Sequence, residues 1–97
     1  MSNNSLLQKA KITLRINSTA YDEEIVDLIN AAKLDLGIAG VILPTELDPL
    51  TTTAVMTYVR AHFGQPEDYD RIKKSYDEQK AQLKTATGFT DWGGANV

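Results

Sequence analysis

Between Tyr21 and Gly64 the chain reads YDEEIVDLINAAKLDLGIAGVILPTELDPLTTTAVMTYVRAHFG, two helix starts and two glycine-marked ends with almost nothing between them. The first start is chemical: Thr19 followed by Asp22 fits the Ser/Thr-x-x-acid capping pattern, and Asp22, Glu23 and Glu24 sit where a helix dipole favours negative charge. Ile25, Leu28, Ile29, Ala32 and Leu36 then recur at spacings of three and four, which predicts an amphipathic helix from about Ala20 to Leu36. This is the expected central helix of the core. Either Gly37 or Gly40 ends it by taking the left-handed conformation. The second start is Asp48-Pro49, an Asx cap followed by proline at the first helical position, where a missing N–H costs nothing. Leu50, Ala54, Val55, Tyr58, Val59, His62 and Phe63 follow at helical spacing up to Gly64. Between the two helices, Val41-Ile42-Leu43-Pro44 is too short and too close to proline for a firm strand. It reads as a buried connector, with Val41 and Leu43 plugging the end of the core and a short strand pairing as the alternative.

The flanks add two more helices. Ser5 as cap and the stripe Leu7, Ala10, Leu14 predict a short helix from about Leu6 to Leu14 that must dock on something, because a helix of that length is marginal alone. Arg15 suits its negative end. Gln65-Pro66 with Glu67, Asp68 and Asp70 opens a fourth helix running to about Ala86. Its expected i, i+4 pairs are Glu67 with Arg71, Asp70 with Lys74 and Lys74 with Glu78. Its thin stripe of Tyr69, Ile72, Tyr76 and Leu83 places it on the outside. From Thr87 to Val97 the glycines Gly88, Gly93 and Gly94 predict a flexible arm without regular structure. The aromatic residues Phe89 and Trp92 in that arm either tuck back onto the domain or anchor a partner. The expected organisation is an all-α domain of four helices over residues 1–86, with an arm over 87–97.

At 97 residues the chain has room for one core, burying roughly 60 to 65% of the surface of its unfolded form. With no cysteine it has neither a disulfide framework nor thiolate metal ligands, so stability must come from packing or from partner subunits. No apolar run approaches the ~18 residues of a membrane span, and the N-terminus lacks the blocks of a secretory signal. A soluble, intracellular protein is expected. The formal net charge of −3 argues against a protein devoted to gripping phosphates.

The distribution of charge is more informative than its sum. Lys9, Lys11 and Arg15 stand in a first segment free of acids, whereas Asp22, Glu23, Glu24, Asp27, Asp35, Glu46 and Asp48 follow against Lys33 alone. Two readings stand: separate solvated faces, or complementary patches that draw one copy head-to-tail onto the next. On the second reading the contact residues are Lys9, Lys11, Arg15, Asp22, Glu23 and Asp27, with Tyr69, Tyr76, Phe89 and Trp92 as further partner contacts.

No catalytic constellation is visible, and the expectation is a non-enzyme without cofactor or metal. His62 is the single histidine and has no second ligand nearby, so it reads as a packing residue. The acids from Asp22 to Asp27 lack the spacing of a calcium loop and are explained by capping. Gly37-Ile38-Ala39-Gly40 follows a helix instead of a strand and lacks the Lys-Ser/Thr of a phosphate cradle.

The order of parts resembles the head-tail connector proteins of long-tailed bacteriophages, the DNA-packaging or head-completion adaptors. The resemblance covers about residues 6–86. It rests on Leu14, Arg15 and Ile16, then Asp22, Glu23, Glu24, Ile25, Leu28, Ile29, Ala31 and Ala32, and later Asp48, Pro49, Leu50, Ala54, Val55, Tyr58, Val59, Phe63 and Gly64. It implies a homo-oligomeric ring of about twelve copies beneath the portal protein, extending the DNA channel and meeting a stopper or tail-completion protein. DNA would pass without specific binding, the site of action would be the virion, and assembly would take place in the host bacterial cytoplasm. The alternative is a small helical DNA-binding or regulatory protein. Against it, the two central helices lie more than a helix-turn-helix turn apart, and Arg60 is the only Lys or Arg of the third helix.

Overall fold

A computed structural model describes the backbone of residues 3–43 and 47–96 and the side chains of 5–43 and 47–85. It is all-α: α1 (Asn3–Leu14), α2 (Asp22–Ile38), α3 (Pro49–His62) and α4 (Tyr69–Asn96), with no strand among the described residues. Helices α1, α2 and α3 pack against one another in a triangle, and α4 lies along α3.

The third helix, not the second, is the centre. α3 buries Thr51, Thr52, Ala54, Val55, Met56, Thr57, Val59 and Ala61, positions that cover most of its circumference and leave one arc, with Thr53 and Arg60, exposed. α2 buries the single stripe Ile25, Ile29, Ala32 and Leu36. Small and β-branched residues make α3 a narrow rod that neighbours approach closely on several sides. Two of its threonines also bond back to their own helix: Thr53 Oγ1 donates to the Pro49 carbonyl at 2.8 Å and Thr57 Oγ1 to the Thr53 carbonyl at 2.9 Å. Leu6, Leu7, Ala10, Ile72, Tyr76 and Leu83 close the core from α1 and α4. Leu50, which helical spacing assigns to the core, is instead 59% exposed on the first turn of α3.

Helix ends follow the sequence in part. Asp48 caps α3 as expected, its Oδ1 accepting from Thr51 N–H at 2.7 Å with Pro49 next in line. Such a cap contributes about 1 kcal/mol. α2 differs, because Tyr21 holds the cap position and makes no side-chain capping bond. Thr19 contributes only its carbonyl, which accepts Asp22 N–H at 3.2 Å, and the acid cluster meets the helix dipole without a capping hydroxyl. α1 begins at Asn3, so Ser5 lies inside its first turn and is not the cap. On α4, Arg71 pairs with Asp68 where Glu67 is the expected partner, and Lys73 pairs with Asp77 at 2.8 Å. α4 runs from Tyr69 to Asn96.

The connector packs as expected where it is described. Val41 is buried and Leu43 half-buried against the core, while Ile42 between them faces outward.

α1 and α2 end in the same hydrogen-bonded turn. After α2, Gly40 N–H donates to the Gly37 carbonyl and Val41 N–H to the Leu36 carbonyl, with Gly40 at φ +101°. After α1, Arg15 N–H donates to Ile12 and Ile16 N–H to Lys11, with Arg15 in the glycine position at φ +60°. A left-handed non-glycine residue costs about 1–2 kcal/mol, against roughly 0.5–1 kcal/mol for the extra unfolded freedom of glycine. Arg15→Gly is therefore expected to raise stability by about 0.5–1 kcal/mol in urea melts. Gly40→Ala is expected to lower it by about 1 kcal/mol, a pure backbone effect, because an added Cβ would meet only Lys84 Cε at 3.8 Å.

Candidate assembly surfaces

The residues read as contact groups divide into those used inside the chain and those left outside. Lys11 is 8% exposed, and its Nζ lies 2.8 Å from Asp22 Oδ1, an ion contact outside hydrogen-bond geometry. The two groups assigned to opposite intermolecular patches thus neutralise each other within one copy, fastening the end of α1 to the start of α2. Tyr76 is likewise internal, at 1% exposure. It falls on the stripe Ile72, Tyr76, Gln79, Leu83 that α4 turns toward α3, so it is a core ring and not a contact surface. Lys9, Arg15, Glu23, Asp27 and Tyr69 are exposed. The side chains of Phe89 and Trp92 lie outside the described residues.

Tyr76 also makes a polar tie between α4 and α2. Its hydroxyl donates to Asp35 Oδ2 at 2.6 Å, and Lys80 Nζ reaches the same oxygen at 3.1 Å while lying 5.2 Å from the Tyr76 ring centroid. The Tyr76 hydrogen bond, followed by the Lys80 charge, holds the Asp35 carboxyl below the ordinary aspartate value of 3.8 despite partial burial. Burial and the adjacent carboxylate push the Tyr76 phenol well up. Around it the rings of Tyr58 and His62 lie 4.2 Å apart, tilted by 39°, and Tyr58 meets Tyr76 and His62 meets Tyr69 edge-on at 5.3 and 5.8 Å. His62 is a packing ring, as its isolation in sequence suggests. No sequence signal near Asp35 announces this tie, since its partners lie 41 and 45 residues away.

Two outward features remain. The first is a ridge on α2 opposite its buried stripe: Glu23 and Asp27 toward the start, Leu34 and Ile38 toward the end, 66% and 77% exposed, with Ile42 just beyond at 60%. The second is a groove of about 490 Å³ between α1 and α3. Leu47 and Met56 form its apolar floor, and Lys9 and Arg60 supply cations at its walls. Thr52 also lines it, 5% exposed, with a hydroxyl that finds no hydrogen-bond partner among the described residues. Among the described residues no group of three or more His, Cys, Asp or Glu is placed to hold a metal ion.

Polar chemistry spent on fastening helices, with apolar side chains left on outer faces, defines a small helical structural module whose working parts are its surfaces. The family profile described as phage connector protein matches residues 6–90, and the chain belongs to that family of head-tail connectors. Comparison with curated proteins and with solved structures returned no match.

The Asp35 tie has a definite pH signature. A carboxyl whose folded value is depressed adds stability above its ordinary value of 3.8, and that contribution is lost as pH falls through the folded value. Asp35→Asn keeps an acceptor but removes the charge, and is expected to cost about 1–2 kcal/mol at pH 7. Urea melts of both proteins from pH 7 to pH 2.5 should show the gap closing below about pH 4.

Proposed function

We propose that this connector works as a ring of about twelve copies seated beneath the portal protein, extending the DNA channel and docking the next tail-completion protein. It is assembled in the host bacterial cytoplasm and remains in the virion. Its work is geometric, without catalysis and without a cofactor. Membership of the connector family over residues 6–90 is the observation that carries this reading. The surface is consistent with it. Leu34, Ile38, Ile42 and Leu50 lie on the outside of a domain whose core is already closed, where only another protein would cover them. The net charge of −3 suits a channel that DNA traverses without being held, because tightly bound phosphates would oppose release.

A DNA-reading role gains nothing from the geometry. Residues 39–48 separate α2 from α3, too many for a helix-turn-helix, and Arg60 and His62 are the only basic side chains on α3.

Negative-stain microscopy of the concentrated protein, alone and mixed with purified portal, tests the reading. Rings, or an added layer on the portal, are expected. Free monomers in both samples would overturn it, as would phage lacking this chain that still yield infectious, full particles. A gel shift at low salt should show at most weak, sequence-blind DNA binding, and tight sequence-dependent retention would favour the regulatory alternative.

A further inference from the structure

We propose that the outer ridge of α2 in one copy seats in the α1/α3 groove of a second copy. This rests on the ring reading and names the contact that would build it.

Four observations converge. The ridge is convex and apolar at one end, where Leu34 and Ile38 stand a helical turn apart, both more exposed than buried. The groove is concave, with Leu47 and Met56 on its floor. The charges are opposite: Glu23 and Asp27 on the ridge, Lys9 and Arg60 on the groove. The lengths agree as well, since Asp27 to Ile38 and Pro49 to Arg60 each cover eleven residue steps, about 16 Å of helix.

An antiparallel register satisfies all of these together. Ile38 falls near Pro49 and Thr52, Leu34 over Met56 one turn on, and Asp27 beyond Arg60 within reach of a guanidinium on a long side chain. The backbone dipoles favour the same direction, the positive pole at the start of α2 lying by the negative pole at the end of α3.

Position makes the contact head-to-tail. In a triangle of mutually packed helices, the groove between α1 and α3 opens on the side away from α2, and the exposed ridge of α2 faces the other way. Each copy therefore presents a ridge on one side and a groove on the opposite side. A chain of such contacts closes into a ring when the rotation per copy divides a full turn.

The absence of cysteine makes the test clean, because any disulfide must come from introduced residues. Thr53 lines the groove and is exposed, so the double variant Leu34→Cys with Thr53→Cys is compared with each single variant under mild oxidation. A ladder of cross-linked multimers from the double variant, and none from either single variant, is expected. A cross-linked dimer from Leu34→Cys alone would mean ridge against ridge and would overturn the proposal. So would unlinked monomers from the double variant under conditions where the unmodified protein forms rings, which would leave the ring reading intact. Absence of any assembly by the unmodified protein, alone or on portal, would sink both. A charge exchange gives an independent readout: Asp27→Lys should weaken assembly at least tenfold in concentration, and adding Arg60→Glu should restore it. Equal assembly by all three proteins would also overturn the contact.

Discussion

The saturation of α3 sets what every other element can do. A helix buried on nearly all sides uses its circumference to hold neighbours, so α1, α2 and α4 each need only one apolar stripe and keep an outer face. In a domain of 97 residues the interior is then full. Further aliphatic side chains have nowhere inside to go, and Leu34, Ile38, Ile42 and Leu50 remain outside because the core closed without them. Their exposure follows from the geometry of a small helical layer.

Polar contacts decide which face each helix turns outward. Burial alone is nearly indifferent to small rotations of an amphipathic helix. The bond from Tyr76 to Asp35 is not, since it fixes the rotation of α4 against α2 to within hydrogen-bond tolerance. The contact of Lys11 with Asp22 does the same for α1 against α2. Both draw charge out of the surface and into the fold. The exposed acids of α2 are Glu23, Glu24 and Asp27, all toward its start and separated from the apolar end of the ridge. A ridge with one acidic and one oily end has a direction, which a uniform patch lacks.

Local chemistry explains what the sequence made legible. The cap at Asp48-Pro49, the stripe of α2 and the turn at Gly40 each depend on residues within a few positions, so periodicity and capping rules find them. What stayed hidden depends on distance or on competition. Asp35 is an ordinary helical acid until the fold brings Tyr76 beside it. Lys11 and Asp22 looked like members of opposing patches because charge counting along the chain cannot see that the α1–α2 turn brings them together. Arg15 occupies a left-handed position that glycine would hold with less strain, and the turn forms because two backbone bonds and the packing of Ile16 outweigh the cost. α3 escaped recognition as the central helix because threonine scores as polar and helix-averse, although Thr57 is buried with its hydroxyl bonded to the Thr53 carbonyl. The groove was invisible for the same reason, being made from two helices and a connector that meet only in the folded chain.

On the proposed ring reading, copies must hold one another firmly and yet leave the passage slippery, and these demands fall on different physical terms. Holding is served by apolar area, which is indifferent to salt and needs close fit. Passage is served by a shortage of fixed positive charge, since each lysine or arginine facing DNA would release counterions and add grip. In this chain the two terms are kept apart. Lys11, Lys73 and Lys80 are paired with carboxylates of the same copy, while the apolar side chains stand on outer helix faces. Spending cations on internal ion pairs lowers the phosphate affinity of the whole without weakening the surfaces that would join it to its neighbours.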